Sequence, residues 1–354
     1  MNADLSQGPV CPVPLQHHDT IILGHGSGGT LSHELITGVF GKYFHNPLLD
    51  QGDDSARFDL LSPANKLAIT TDSHIVTPLF FPGGDIGRLA VCGTVNDLAM
   101  NGAIPRFLTA GFILEEGLEI ATLERVLQSM ADAAREAGVE IAAGDTKVVE
   151  KGKADRIFIN TSGIGEIPPE RGVISGNNAQ PGDAIILTGS IGDHGIAVMA
   201  ARNDLSLEMD VKSDVAPLNK MIDGLYDLGV NIHVLRDPTR GGVGTTLNEI
   251  AGQSQASLHI HEEKLPILPA VAAACEMLGF DPLYVANEGK AIIICPADRA
   301  NTVLASLKGH FYGQHAAIIG EVLTDYPGKV IMHTLYGSSR LVPMLSGELL
   351  PRIC

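Results

Sequence analysis

Val139-Glu140-Ile141-Ala142-Ala143 runs directly into Gly144-Asp145-Thr146-Lys147-Val148-Val149, and the reading of this passage decides the fold. Residues 139–143 read as a strand, and the Gly-Asp junction after it sets a carboxylate at the strand's end, with Lys147 beside it. Upstream, Leu123, Val126, Leu127 and Met130 recur at helical spacing within residues 118–137, which predicts an amphipathic helix leading into that strand. Downstream, Ile157–Gly165 reads as a further strand. Alternating strands and helices of this kind predict an α/β domain.

The pattern extends outward on both sides. Lys66–His74 reads as a strand that ends in an acid, Asp72. Pro82-Gly83-Gly84-Asp85 is a turn, and the helical stretch Ile86–Leu98 delivers Asn96 and Asp97. Nearer the N-terminus, Gly24-His25-Gly26-Ser27-Gly28-Gly29-Thr30 precedes a helix expected over residues 31–41 and could present N–H groups to phosphate. It is not a Walker loop, because no Gly-Lys-Ser/Thr follows. Gly52-Asp53-Asp54-Ser55 places two acids after a turn. Pro168-Pro169 and Ser175-Gly176-Asn177-Asn178 mark a boundary.

Beyond it the alternation resumes. The buried strand Ala184–Leu187 enters Thr188-Gly189-Ser190-Ile191-Gly192-Asp193-His194-Gly195, a glycine loop before a helix. A helix near 216–229, the strand Ile232–Leu235 and Arg236-Asp237-Pro238-Thr239-Arg240-Gly241-Gly242 come next, opening the helix Thr245–Ala251. Leu265–Leu278 reads as helix, Asn287-Glu288-Gly289-Lys290 precedes the buried strand Ala291–Cys295, and Ala317–Ile319 and Val330–Leu335 finish the second unit. The expected organisation is a leader over 1–20, domains over 21–168 and 177–335, and a mobile tail over 336–354. Several acids at the ends of separate elements suit a magnesium site shared with phosphates. Capping of turns or helices is the competing reading for Asp54, Asp97 and Asp237.

The 354 residues suffice for two domains, and 45% of them are hydrophobic, as in globular proteins. With 41 acidic residues against 24 basic ones, the net charge of -17 argues against nucleic acid or an anionic membrane surface as partner. Cysteines 11, 92, 275, 295 and 354 form no CxxC pair, which points to a reducing compartment and away from structural zinc. No apolar signal core and no run of membrane length is present, so a cytoplasmic protein is expected. The chain closes on Pro351-Arg352-Ile353-Cys354, a thiol on its last residue.

Taken together, His25-Gly-Ser-Gly-Gly, the acids of 52–56, Asp72-Ser-His, Pro82-Gly-Gly-Asp85, Gly93-Thr-Val-Asn-Asp-Leu98, Gly144-Asp-Thr-Lys147 and Asp237-Pro-Thr-Arg-Gly-Gly242 resemble the aminoimidazole ribonucleotide synthetase (PurM-like) superfamily. Asn287-Glu-Gly-Lys290 and the terminal Pro-Arg-Ile-Cys select its hydrogenase-maturation carbamoyl dehydratases, over a span from about His25 to Cys354. The resemblance implies a two-domain α/β (α+β) ATP-binding fold whose N-terminal domains pair into a β-barrel in a homodimer, with ATP near the subunit interface. It implies that a carbamoyltransferase, HypF, loads Cys354, that ATP and Mg2+ drive dehydration to a thiocyanate, and that the cyano group passes to iron on a HypC–HypD complex. On that reading Cys354 is the carrier and Glu288 the base. Lys147 orients Glu288 and keeps it ionised, or stabilises charge on the carbonyl oxygen. Asp54, Asp72, Asp97 and Asp145 bind magnesium and phosphate, joined by Asn96, Thr146 and Asp237.

Two other readings are weighed. Selenophosphate synthetases, thiamine-phosphate kinases and aminoimidazole ribonucleotide synthetases share the ATP site without needing a terminal cysteine. A nickel- or iron-holding scaffold would use the 13 histidines, but these cluster only at His259-x-His261.

Overall fold

The computed structural model describes residues 19–26, 30–49, 58–202, 210–345 and 353. The expected leader up to residue 18 lies outside them. Helical segments α1 (Thr30–Leu35) and α2 (Gly41–Phe44) are joined by a wider turn at Ile36–Phe40. The helix expected to end at 41 runs on to 44, because Phe40 and Phe44 are buried against Phe112, with Phe40 and Phe112 centroids 4.9 Å apart.

The N-terminal unit then lays down β1 (Lys66–His74), the short ladder β2 (Phe80–Phe81) and β3 (Gly84–Asp85), α3 (Ile86–Met100), β4 (Ile104–Glu115), α4 (Ile120–Ala137), β5 (Glu140–Val149) and β6 (Ile157–Ile167). Its main sheet has the order β1-β6-β4-β5, with β4 and β5 parallel around the α4 crossover and the other pairs antiparallel. Asp85 starts α3 by accepting from the N–H groups of Gly87 and Arg88. In α4 the residues Leu123, Val126, Leu127, Met130 and Ala134 form the buried stripe, and Gly138 ends it at φ 79°, a left-handed position. The two helices cover one face of the sheet. The other face leaves Leu67, Ile69 and Ile113 exposed.

One difference from the sequence reading has consequences for the site. β5 does not stop at Ala143 but continues through Gly144-Asp145-Thr146-Lys147 as an edge strand, kept in register by β4. These residues lie within a sheet edge, not in a loop at a strand's end.

The C-terminal unit contains β7 (Asp183–Leu187), α5 (Asp193–Ala201), α6 (Asn219–Tyr226), β8 (Val234–Arg236), α7 (Gly242–Ser254), β9 (Ser257–His261), α8 (Pro269–Leu278), β10 (Ile292–Pro296), α9 (Ala300–Gly309), β11 (Ala317–Leu323), β12 (Val330–His333) and β13 (Ser339–Leu341). Its seven strands run in the order β13-β12-β9-β11-β7-β10-β8, all antiparallel except β9 with β12. β7 and β10 are buried on both faces. Ile185, Leu187, Ile292 and Ile294 face a core shared with α7, while Ile186, Ile293 and Cys295 face one shared with α6 and α9. Strand β9 had no counterpart in the sequence reading. β13 falls inside the stretch expected to be tail and instead forms the sheet's edge, and Val342 N–H donates to Val330 O. No helix of the described residues is long and apolar enough to cross a membrane.

Specific polar contacts bind the two units. Arg88 of α3 donates from Nε to Val215 O at 3.0 Å, from Nη1 to Glu136 at 2.8 Å and from Nη2 to Tyr312 Oη at 3.2 Å. The Tyr312 hydroxyl in turn donates to Glu136. Asn219 Nδ2 donates to the last carbonyl of α4, at Ala137, at 2.8 Å. Replacing Arg88 takes the donor from Val215 O and leaves Glu136 with Tyr312 alone. Arg88→Ala should therefore lower the free energy of unfolding by about 2 kcal/mol, read from urea titration by circular dichroism. A change below about 0.5 kcal/mol would mean that these ties do not carry the junction.

Candidate active site

Along β1 the alternation of the strand turns Thr70, Asp72 and His74 towards α3. Thr70 Oγ1 donates to Asp97 Oδ2 at 2.8 Å, which orients the α3 carboxylate. One helical turn before Asp97 stands Gly93, where a Cβ would come within 3.0 Å of Asp72 Oδ2. The missing side chain lets strand and helix close on each other. His74 is buried and neither of its ring nitrogens is hydrogen-bonded. Asp72 Oδ2 is 3.5 Å from Nε2, and burial holds the imidazole's pKa down.

The C-terminal unit supplies the opposite side. Asp237 follows β8, Glu288 precedes β10, and Asp214 lies in the irregular segment before α6. Asp214 Oδ1 and Oδ2 accept from the backbone N–H groups of Glu288 and Gly289 at 3.1 and 3.3 Å, and Lys290 Nζ stands 3.2 Å from Oδ2. At Gly289 a Cβ would lie 1.8 Å from Asp214 O, so only glycine fits there. Asn96 Nδ2 donates to Ala216 O at 3.0 Å and Glu288 O at 3.3 Å, and its Oδ1 accepts from Leu218 N–H at 2.8 Å. This corrects the reading of Asn96 as a phosphate ligand, because its amide is spent on clamping the backbone around Glu288.

Four of the expected acids, Asp72, Asp97, Asp237 and Glu288, thus converge with a fifth, Asp214, and they repel one another. Burial raises the pKa of Asp97, with Asp72 adding to it. Asp237 is pushed up to about 7 by burial and then by Asp97. Glu288 is raised well above the carboxylate range, first by burial, then by Asp214, Asp72, Asp237 and Asp97, and its Oε1 has no hydrogen-bond partner. The expectation of an ionised Glu288 paired with Lys147 does not hold within one chain. Neighbouring Asp193 is pushed up to about 6 by burial and then by Asp214, and its Oδ1 is also unpartnered. Hard oxygen donors in mutual repulsion suit a divalent cation. Among the described residues no three His, Cys, Asp or Glu side chains form a group arranged to hold an ion by themselves. Asp97 and Asp237 also line a cavity of about 490 Å³ between the units, with Arg240 and the apolar Met100, Ile174 and Leu235.

Asp145, Thr146 and Lys147 are elsewhere. Asp145 pairs with Gly111, Gly111 with Asn160 and Asn160 with Ser73, so Asp145 stands three strands from the Asp72 end of the sheet. At about 4.8 Å per strand the separation is about 14 Å, too far for the two carboxylates to share an ion within one chain. Lys147 Nζ is bonded instead to Asp145 at 2.6 Å. Asp54 and Cys354 lie outside the described residues. Ile353, next to Cys354, is buried, and its carbonyl accepts from His194 Nε2 at 2.6 Å. The sequence reading missed Asp214, Asp193 and His194, which sit in irregular segments or at a helix start with no periodicity to mark them.

The raised carboxyl groups have a measurable cost. A group whose folded pKa exceeds its unfolded one stabilises below the unfolded value, near 4, and that stability is lost as pH rises through the folded value. The metal- and nucleotide-free protein should therefore lose thermal stability between pH 5 and pH 8, with Asp237 accounting for about 2 kcal/mol, discounted for its contact with the cavity. Scanning calorimetry in a chelator should show that slope, and Asp237→Asn should flatten it.

Comparison with known proteins agrees with this architecture. The model of the AIR synthase related protein N-terminal domain matches residues 52–167, and that of the C-terminal domain matches 180–333. The carbamoyl dehydratase HypE of Azotobacter vinelandii is 52% identical over 330 residues, covering 93% of this chain and 96% of the relative. A crystal structure of hydrogenase maturation protein HypE in complex with ATP superposes with a TM-score of 0.90 at 53% identity, covering 95% of this chain and 100% of that one. The HypE of a HypE–HypF complex does so with a TM-score of 0.76 at 53% identity, covering 87% and 99%. A PurM-like two-domain frame matched end to end, carrying the acid cluster at its domain junction, identifies the chain as a member of the HypE carbamoyl dehydratase family of hydrogenase maturation.

Proposed function

We propose that this chain performs the ATP-dependent dehydration of an S-carbamoyl group on Cys354 to an S-cyano group, and that the cyano group becomes a ligand of [NiFe] hydrogenase iron. The carrying observation is the seat of Ile353. The residue before Cys354 is buried in the N-terminal core, and its carbonyl is bonded to His194. His194 is linked through Ser213 to the segment that holds Glu288. The tail's end therefore belongs at the acid cluster.

The carbamoyl oxygen attacks the γ-phosphorus of ATP and ADP leaves, so that a poor leaving group becomes phosphate. One N–H proton is lost as the C=N bond forms. Removal of the second lets the C–O bond break, giving the nitrile and phosphate that carries the former carbamoyl oxygen. Both protons need an acceptor: Glu288 is assigned the first, and the departing phosphate carries the second. The unpartnered Oε1 and high proton affinity of Glu288 match a base that must take a proton from nitrogen. Glu288 must first be ionised, which cation binding among its neighbours favours. Asp72, Asp97 and Asp237 would hold magnesium, which when bound neutralises the triphosphate. The cavity is of a size for a nucleotide, with Met100, Ile174 and Leu235 available to a base.

Asp145, Thr146 and Lys147 take part only if a second copy brings its β5 edge to this site. That agrees with a homodimer closed through the N-terminal sheets, whose exposed Leu67, Ile69 and Ile113 need cover. HypF as carbamoyl donor, a HypC–HypD complex as cyano acceptor and a cytoplasmic setting complete the reading. Asp54 remains assigned to magnesium.

Intact-mass spectrometry with a peptide map tests it. With HypF, carbamoyl phosphate and ATP, Cys354 should gain a carbamoyl group that then loses one water. Glu288→Gln should keep the carbamoyl adduct and slow the loss by at least about 100-fold. ATP consumption with Cys354 untouched would sink the reading in favour of a small-molecule kinase or synthetase of the same superfamily. For the dimer, the double variant Leu67→Asp, Ile113→Asp should sediment as a monomer, and a persisting dimer would exclude closure through this face.

A further inference from the structure

We infer that His194, held by Ser213, is the positioning residue that seats the C-terminal tail for dehydration. This rests on the proposal that Cys354 carries the reacting group. His194 lies in the first turn of α5, fully buried, its ring edge-on to Phe81 at 5.4 Å. Both ring nitrogens are engaged. Nε2 is 2.6 Å from Ile353 O, and Nδ1 is 2.8 Å from Ser213 Oγ. A carbonyl oxygen can only accept, so Nε2 carries the proton. In the neutral imidazole Nδ1 is then the acceptor, and the Ser213 hydroxyl donates to it. Burial holds His194 in that neutral form. Ser213 Oγ is fixed in turn by Val215 N–H at 3.1 Å, and Ser213 N–H donates to Pro82 O at 2.8 Å.

The tautomer is therefore set by the tail's carbonyl and accommodated by the loop's hydroxyl, and it offers one N–H to the tail. Ser213 and Asp214 are consecutive. One fixes the imidazole that grips Ile353, and the other holds the backbone of Glu288. Consecutive Cα atoms stand about 3.8 Å apart, so the grip acts within one residue of the thiol and is referenced to the base through two adjacent side chains. The hydrogen bond from His194 goes to the backbone of Ile353. It places the tail.

The test separates placement from chemistry. In the free full-length protein, iodoacetamide labelling of Cys354, read by peptide mapping, reports release of the tail. His194→Phe keeps a ring against Phe81 but cannot donate, and labelling should quicken by about tenfold. Single-turnover dehydration of the carbamoylated protein should slow by a similar factor, with the ATP concentration for half-maximal rate unchanged. His194→Gln, which can donate to Ile353 O, should restore both, and Ser213→Ala should reproduce the defect in milder form. Unchanged labelling in both His194→Phe and Ser213→Ala would overturn the inference, as would failure of His194→Gln to rescue. If the wild type dehydrates nothing, the proposed function falls, and the labelling series alone still decides whether His194 holds the tail.

Discussion

Asp72, Asp97, Asp214, Asp237 and Glu288 reach the domain junction from five separate stretches of chain, and most of the architecture serves to keep these like charges together. Asp214 has Lys290 and two backbone N–H groups, and Asp97 has Thr70 Oγ1. Glu288 has nothing on Oε1. Repulsion of this kind is tolerated only where surrounding contacts over-determine the geometry. Asn96 at the end of α3, Arg88 at its start and the glycines at 93 and 289 are those contacts. Carboxylates left uncompensated in this way cost stability at neutral pH, a cost that the proposed cation would offset.

Much of this was legible in the sequence, for identifiable reasons. Strand β1 was read to its residue, because its length and flanking turns left little freedom. Asp72, Asp97, Asp237 and Glu288 were named because each stands beside a feature that local rules detect, at the end of a strand or helix or next to a glycine turn. The reading was incomplete where the deciding fact was register across a sheet. Asp145 and Lys147 follow a convincing strand, and nothing local says that the strand continues through them as an edge or that three strand spacings separate them from Asp72. Asn96 adjoins Asp97 in sequence, but on a helix the next residue points about 100° away, towards the C-terminal unit and its backbone. Asp214 gave no signal, and His194 stood in a glycine loop with nothing local to mark its role. One is in an irregular segment, and the other meets its partner 159 positions along the chain.

The distribution of residues between the two sheet edges bears on oligomeric state. One protomer holds acids at the β1 side of its N-terminal sheet and an Asp-Thr-Lys set at the β5 side, about 14 Å apart by strand spacing. Both edges are unpaired among the described residues, and the face between them shows isoleucine and leucine to solvent. A second copy would cover that face and bring one edge's lysine towards the other edge's acids. A carboxyl group as reluctant to ionise as Glu288 gains most from such a cation, because in a buried site the attraction is only weakly screened. The proposed dimer and the proposed ionisation of Glu288 thus point to the same surface.

The strength of the tail's seat follows from its being part of the chain. A tethered group meets its site at an effective concentration set by the tether, so little binding energy is required to keep the site occupied. A deep seat would retard departure towards the donor and acceptor of the carried group, and a shallow one would let water reach an activated intermediate. One buried isoleucine and one hydrogen bond from a neutral imidazole lie between these limits. A charged partner would bind more tightly and release more slowly. On the proposed function, the burial that keeps His194 neutral is therefore part of what would let the tail leave.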